Sequence, residues 1–177
     1  MASLHQINIG YSPVEDRLLL RMSARSETGT AEFRFWLTRR FTRLFWQALE
    51  RARETSVAMD PRVSPDSREA LKQFHQEAAL EKADFTTPYQ EETAATPLGP
   101  NPILVSKLNI TPKAHGQHTL ALLPSKGQGI NLTVDLNIIH LFRKLLAEAV
   151  RKAEWDLVLD LFPSMPIVVQ DAPRTIN

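Results

Sequence analysis

The sequence predicts an α+β fold of two β-β-β-α units, antiparallel sheets with packed amphipathic helices, joined by an acidic helix-plus-loop insertion. Three observations carry this: within Ala31 to Glu54 the apolar period switches from two residues to that of a helix, the pattern returns later in the chain, and the composition changes between the two. The implied segments are 1–54 for the first unit, 55–102 for the helical insertion and Pro-rich linker, and 103–177 for the second unit with a C-terminal extension, all in one compact domain.

In the first unit, Leu4 to Gly10 alternates with Ile7 and Ile9 on one face, Ser12-Pro13 breaks the run, and Asp16 to Met22 reads as a second strand. From Ala31 to Leu37, Phe33, Phe35 and Leu37 fall on one side and Arg34, Trp36 and Thr38 on the other, which describes a half-buried strand. Phe41, Leu44, Phe45, Ala48, Leu49 and Ala52 then form one helical stripe. Thr38 stands where the period switches, and its hydroxyl suits an N-cap. In the insertion, Ser64-Pro65 reads as an N-cap with Pro at the first helical position. Ala70, Leu71, Phe74 and Ala78 predict a short amphipathic helix to about Ala83. The Pro- and Thr-rich stretch that follows reads as a surface loop, with Phe85 and Tyr89 as its only large anchors.

The second unit repeats the order. Lys107 to Thr111 echoes the first strand, with Leu108, Asn109 and Ile110 in place of Ile7, Asn8 and Ile9. His118 to Leu123 and Gly129 to Val134 stand for the second and third strands, and a stripe of Ile138, Phe142, Leu145, Leu146, Ala149, Val150 and Ala153 for the helix. At an offset of 101, six apolar positions of the two helices coincide (Phe41 on Phe142 through Ala52 on Ala153), which predicts an internal duplication. Aligning Leu37-Thr38 with Leu132-Thr133 gives 95 instead, so the start of the second helix is open. Trp155 to Phe162 fits a short helix or a strand equally, and Ile167 to Val169 reads as an edge strand.

Composition narrows the function classes. At 43% hydrophobic and 23% charged, the chain lies outside the range that stays disordered. Without Cys it has no disulfide, thiolate metal site or cysteine nucleophile, which suits a reducing compartment. The N-terminus carries no signal-peptide pattern and no run approaches a membrane span, so a cytoplasmic protein is expected. The net charge of +1 hides an asymmetry: residues 1–54 carry nine Arg against six acids, and residues 55–102 four basic against eight acidic residues. A polyanionic partner is permitted and not required.

Catalytic and metal motifs are missing. His115 and His118 flank a Gly-containing turn with no third ligand nearby, the remaining His are scattered, and His140 falls on the polar side of its helix. Nothing resembles a GxSxG elbow or a glycine-rich phosphate loop. No cofactor, metal or catalytic residue is therefore expected. The one suggestive patch is Arg34 and Trp36 on the outward strand face, followed by Arg39, Arg40 and Arg43 at the helix start. An exposed aromatic among guanidinium groups is what base stacking and phosphate contact require. The competing reading pairs these Arg with Glu32 or Glu50 and covers Trp36 with the middle segment.

A duplicated strand-rich unit closed by an amphipathic helix resembles the PUR domain and, more loosely, the Whirly and positive-cofactor-type coactivator group. Ser125 to Thr133, a basic, glycine-containing turn leading into a strand, is the closest approach to their repeats. The resemblance implies a curved antiparallel sheet that binds single-stranded nucleic acid through Arg, Lys and aromatic side chains. Those families have four strands before the helix, against three here. The leading expectation is a non-enzymatic binding or assembly module acting on a protein partner or a second copy, with leftover apolar surface such as Trp46. Single-stranded nucleic-acid binding through Arg34, Trp36, Arg39, Arg40 and Arg43 is the alternative, and an enzyme with a cleft between the repeats the third.

Overall fold

The computed structural model describes residues 3–27, 29–58, 64, 67–83, 89 and 95–159. Among these residues the chain is α+β, with a four-stranded and a three-stranded sheet and three α-helices. Strands β1 (Ser3–Ser12), β2 (Arg17–Ser26) and β3 (Gly29–Leu37) form an antiparallel meander. Period-two alternation turns Ile9, Leu18, Leu20, Met22, Phe35 and Leu37 to one buried face. The first sheet gains β4 (Ile103–Leu104), which pairs in parallel with Phe35 and Trp36 of β3. Two residues are too short to alternate, so the sequence shows three strands where the sheet has four, and the fourth comes from the first residues of the second unit.

The second sheet is the antiparallel meander of β5 (Lys107–Pro112), β6 (His118–Leu123) and β7 (Ile130–Val134), with Leu120, Leu122, Ile130 and Val134 buried. Two adjacent amides join the sheets. Val105 N donates to the Trp36 carbonyl at 3.1 Å and Ser106 N to the Leu123 carbonyl at 2.9 Å. Before β7, a Cβ on Gly129 would stand 2.1 Å from the Leu122 carbonyl oxygen and 2.8 Å from Leu123 Cα, both backbone atoms. Gly129→Ala is therefore expected to lower the unfolding free energy by about 3 kcal/mol, read as a lower denaturant midpoint at unchanged slope.

Helices α1 (Arg39–Ala58) and α3 (Leu136–Lys152) start at side-chain caps. Thr38 Oγ1 accepts from Phe41 N at 3.3 Å, and Asp135 Oδ1 from Ile138 N at 2.9 Å. The caps stand 97 residues apart, between the two offsets read from the sequence. At 97, Thr42, Phe45, Trp46, Leu49, Ala52 and Arg53 correspond to Ile139, Phe142, Arg143, Leu146, Ala149 and Val150, and all twelve are buried. Each helix lies chiefly on the first strand of the other half, α1 on β5 and α3 on β1. The helices meet at corresponding residues: the Phe45 and Phe142 rings are 5.3 Å apart, and the Arg143 guanidinium sits 4.9 Å from the centre of the Trp46 ring. Trp46 is thus core at 8% exposure, and not the leftover surface expected of it.

Helix α2 (Arg68–Lys82) packs across α3 and α1. It begins after Ser67, three residues beyond the expected cap Ser64, whose carbonyl accepts from Ser67 N at 3.1 Å. Pro65, Phe85, Phe162 and the expected edge strand Ile167 to Val169 lie outside the described residues. Residues 155–159 are neither helix nor strand. Leu157 N closes a three-residue turn on the Trp155 carbonyl, while Trp155 Nε1 donates to Asp16 Oδ1 at 2.9 Å and its ring meets Tyr11 edge-on at 6.0 Å. No helix among the described residues is long and apolar enough to cross a membrane.

Candidate functional site

The five residues expected to bind a polyanion stand in three different settings. Arg34 Nη2 pairs with Glu32 Oε2 at 2.6 Å and Nη1 reaches the Pro100 carbonyl at 3.2 Å. Tyr89 comes down on the same sheet face: its hydroxyl donates to Glu32 Oε1 at 3.1 Å and its ring lies 4.4 Å beneath the Arg21 guanidinium. Burial alone would raise the Glu32 pKa, but Arg34, the Tyr89 hydroxyl and the Arg21 charge outweigh it and hold the carboxyl below its ordinary value. Tyr89 is pushed up to about 12 by burial and by Glu32. Tyr89 thus anchors the middle segment, and Ala95 continues it along β3 by exchanging hydrogen bonds with Thr30 and Glu32. Trp36 is half-buried on that face with Leu104 beside it. Arg39 Nη2 donates to the Asp156 carbonyl at 3.1 Å, next to the Tyr11–Asp16–Trp155 cluster. Asp16 is held low by the Trp155 and Tyr11 hydrogen bonds, with Arg39 contributing charge. Arg40 and Arg43 remain, exposed on α1 with no ion pair among the described residues.

Under α2 lies a polar knot that motif reading misses. Arg143, fully buried, donates from Nε to Glu50 and from Nη1 to Gln76 Oε1, and Arg53, 4% exposed, donates to the other Glu50 oxygen at 2.7 Å. One carboxylate serves two guanidinium groups. Beside them His140 is fully buried, where the sequence placed it on a solvated face, and neither ring nitrogen has a partner among the described residues. Burial, then the charges of Arg143 and Arg53 and the nearby His75, push its pKa down to about 3. Burial also pulls the Arg143 pKa down, while Glu50 acts against that pull. The available signal was Arg143 itself, a charge inside the arc of Ile139, Phe142, Leu146 and Val150 that must find a buried partner.

The knot decides how α2 sits. Gln76 and Ala79 are its buried residues, so a polar side chain, Gln76, sits on its inward face. Of the expected apolar stripe, Ala70 and Phe74 turn outward, Phe74 at 64% exposure, while Leu71 and Ala78 are half-buried. On α2, Ala70, Phe74, Glu77 and Glu81 form one exposed ridge at spacings of 4, 3 and 4. On α1, Arg40, Leu44, Gln47 and Arg51 form an exposed ridge at the same spacings, with Leu44 at 37% exposure and Arg43 alongside. Arg40, Arg43, Arg51, Glu77 and Glu81 make no ion pair among the described residues.

His115 and His118 do not converge: His115 is exposed at φ 59° in the β5–β6 loop, and His118 is buried. No group of three His, Cys, Asp or Glu among the described residues is arranged to hold a metal ion. No protein-family model, curated protein or solved structure matches the chain.

Proposed function

We propose that this protein is a non-enzymatic, cytoplasmic assembly module that associates with a second copy of itself, the α1 ridge of each copy meeting the α2 ridge of the other. The observation that carries the reading is the match between the ridges. They share one spacing, each places a large apolar side chain second (Leu44 and Phe74), and they are opposite in overall charge, the α1 ridge with two Arg and the α2 ridge with two Glu. A reciprocal contact of this kind closes on two copies. The same reading takes the two halves as copies of one duplicated unit, because corresponding residues, Phe45 and Phe142, meet where the halves join.

Charge exchange tests it. Variant one carries Arg40→Glu and Arg51→Glu; variant two carries Glu77→Arg and Glu81→Arg. Each alone opposes like charges and is expected to run as a monomer of 20.0 kDa in light scattering. Mixed, they restore both contacts and are expected to form a heterodimer. Failure of the mixture to associate, with both variants folded by circular dichroism, contradicts the proposal.

A second reading keeps Arg40 and Arg43, neither in an ion pair among the described residues, for the phosphates of a single-stranded nucleic acid. It would show as salt-sensitive anisotropy of a labelled oligonucleotide that weakens on Arg40→Ala with Arg43→Ala.

A further inference from the structure

A cleft of about 290 Å³ opens between the C-terminal half of α1 and the edge strand β5. Its apolar walls include Ala48 and Ala52 from the helix and Leu108 and Ile110 from the strand, and Arg51 and His118 are among its polar groups, with Thr55, Asn109 and Thr111. Arg51 is exposed and makes no ion pair among the described residues. His118 is 2% exposed, and both ring nitrogens lack a partner among the described residues.

This histidine is not explained by packing. Pairing registers place His118 opposite Val134 on β7 and Leu18 opposite Leu37 on β3, so His118 holds the position that Leu18, fully buried, holds in the other half. An apolar side chain fits that position. A buried imidazole with neither nitrogen bonded costs free energy that Leu would not. Burial lowers the His118 pKa, so at pH 7 the ring is neutral and offers one N–H donor and one lone-pair acceptor.

We infer that the cleft binds a small organic acid: a carboxylate paired with Arg51, a short apolar body between Ala48, Ala52 and Ile110, and a distal hydroxyl hydrogen-bonded to His118. The volume suits a single-ring acid and lies at the small end for ligand sites. A planar guanidinium matches a carboxylate through two parallel hydrogen bonds. A hydroxyl both donates and accepts, so it serves neutral imidazole in either tautomer. The cleft shares Arg51 with the α1 ridge of the proposed dimer, whereas His118 and Ile110 belong to the cleft alone, so the outcome of His118→Leu is read separately from self-assembly.

The test is heteronuclear NMR titration of the whole chain with 3- and 4-hydroxybenzoate, with benzoate and phenol as controls. At least one hydroxybenzoate is expected to shift the His118 ring resonances and the amides of Arg51 and Ile110. Benzoate is expected to bind about 2- to 10-fold more weakly, for want of one hydrogen bond, and phenol more weakly still. His118→Leu, which reproduces the residue of the other half and should fold, is expected to erase the preference for hydroxybenzoate over benzoate. Arg51→Gln is expected to weaken both acids about tenfold or more. No binding by either hydroxybenzoate, or a hydroxyl preference that survives His118→Leu, overturns the inference.

Discussion

Arg143→Met is expected to lower the unfolding free energy by about 2–4 kcal/mol, measured by urea denaturation at neutral pH. The side chain is fully buried and bonds to Glu50 on α1 and Gln76 on α2, so it ties all three helices together. Met restores most of the volume and the contact with Trp46 but strands the Gln76 amide, whose Nε2 already has no partner among the described residues. Glu50 keeps Arg53, which limits the loss. Adding Gln76→Leu removes the stranded amide and is expected to return part of the stability, because a buried polar network replaced by packed apolar groups is often neutral or better. If Gln76→Leu instead adds its full cost to that of Arg143→Met, the two residues do not act through one contact.

Acidification from pH 7 to pH 5 is expected to cost about 2 kcal/mol of stability through His140 alone. The sign follows from a folded pKa near 3 against the ordinary 6.5. The unfolded chain takes up a proton that the folded chain refuses, so the contribution is complete above 6.5 and lost as pH falls from there towards 3. The groups around the ring give the cause: Arg143 on α3 itself, Arg53 with Glu50 on α1, and His75 with Gln76 on α2, a set with more cations than acids. His118, also lowered by burial, adds in the same direction. Glu32 and Asp16, both held low, keep their contribution until pH falls below their unfolded values of 4.5 and 3.8, outside this window. His140→Leu should therefore flatten the dependence between pH 7 and pH 5, and an unchanged slope in that variant would place the titrating group elsewhere.

Strands and long helices were legible because each shows a period over many residues. The alternation of Phe33, Phe35 and Leu37 and the stripe of Phe45, Leu49 and Ala52 describe the buried faces that form. The register between the halves was not, for a reason in helix geometry. Offsets of 101 and 97 differ by four residues, about one turn, so a stripe laid on itself at either offset matches almost equally well. Only the caps Thr38 and Asp135 separate them. Helix α2 misled for a different reason: its apolar residues predict a buried Leu71–Phe74–Ala78 face, but the uncompensated Arg143 on α3 demands an acceptor, and Gln76 supplies it. Tertiary hydrogen bonding overrode the local pattern. The surroundings of the arginines were not legible either, since Arg34 and Trp36 lie on a sheet face where Tyr89 meets Glu32 and Ala95 meets the edge of β3, and no spacing in the sequence says where a Pro-rich loop will lie.

The most direct test of self-assembly is the mass of the unmodified protein in light scattering across a concentration series at low and at high salt. The proposed ridge-to-ridge contact predicts a mass rising to twice 20.0 kDa at low salt and falling back as salt screens Arg40 and Arg51 from Glu77 and Glu81. A mass that stays at 20.0 kDa at the highest concentration and lowest salt contradicts it.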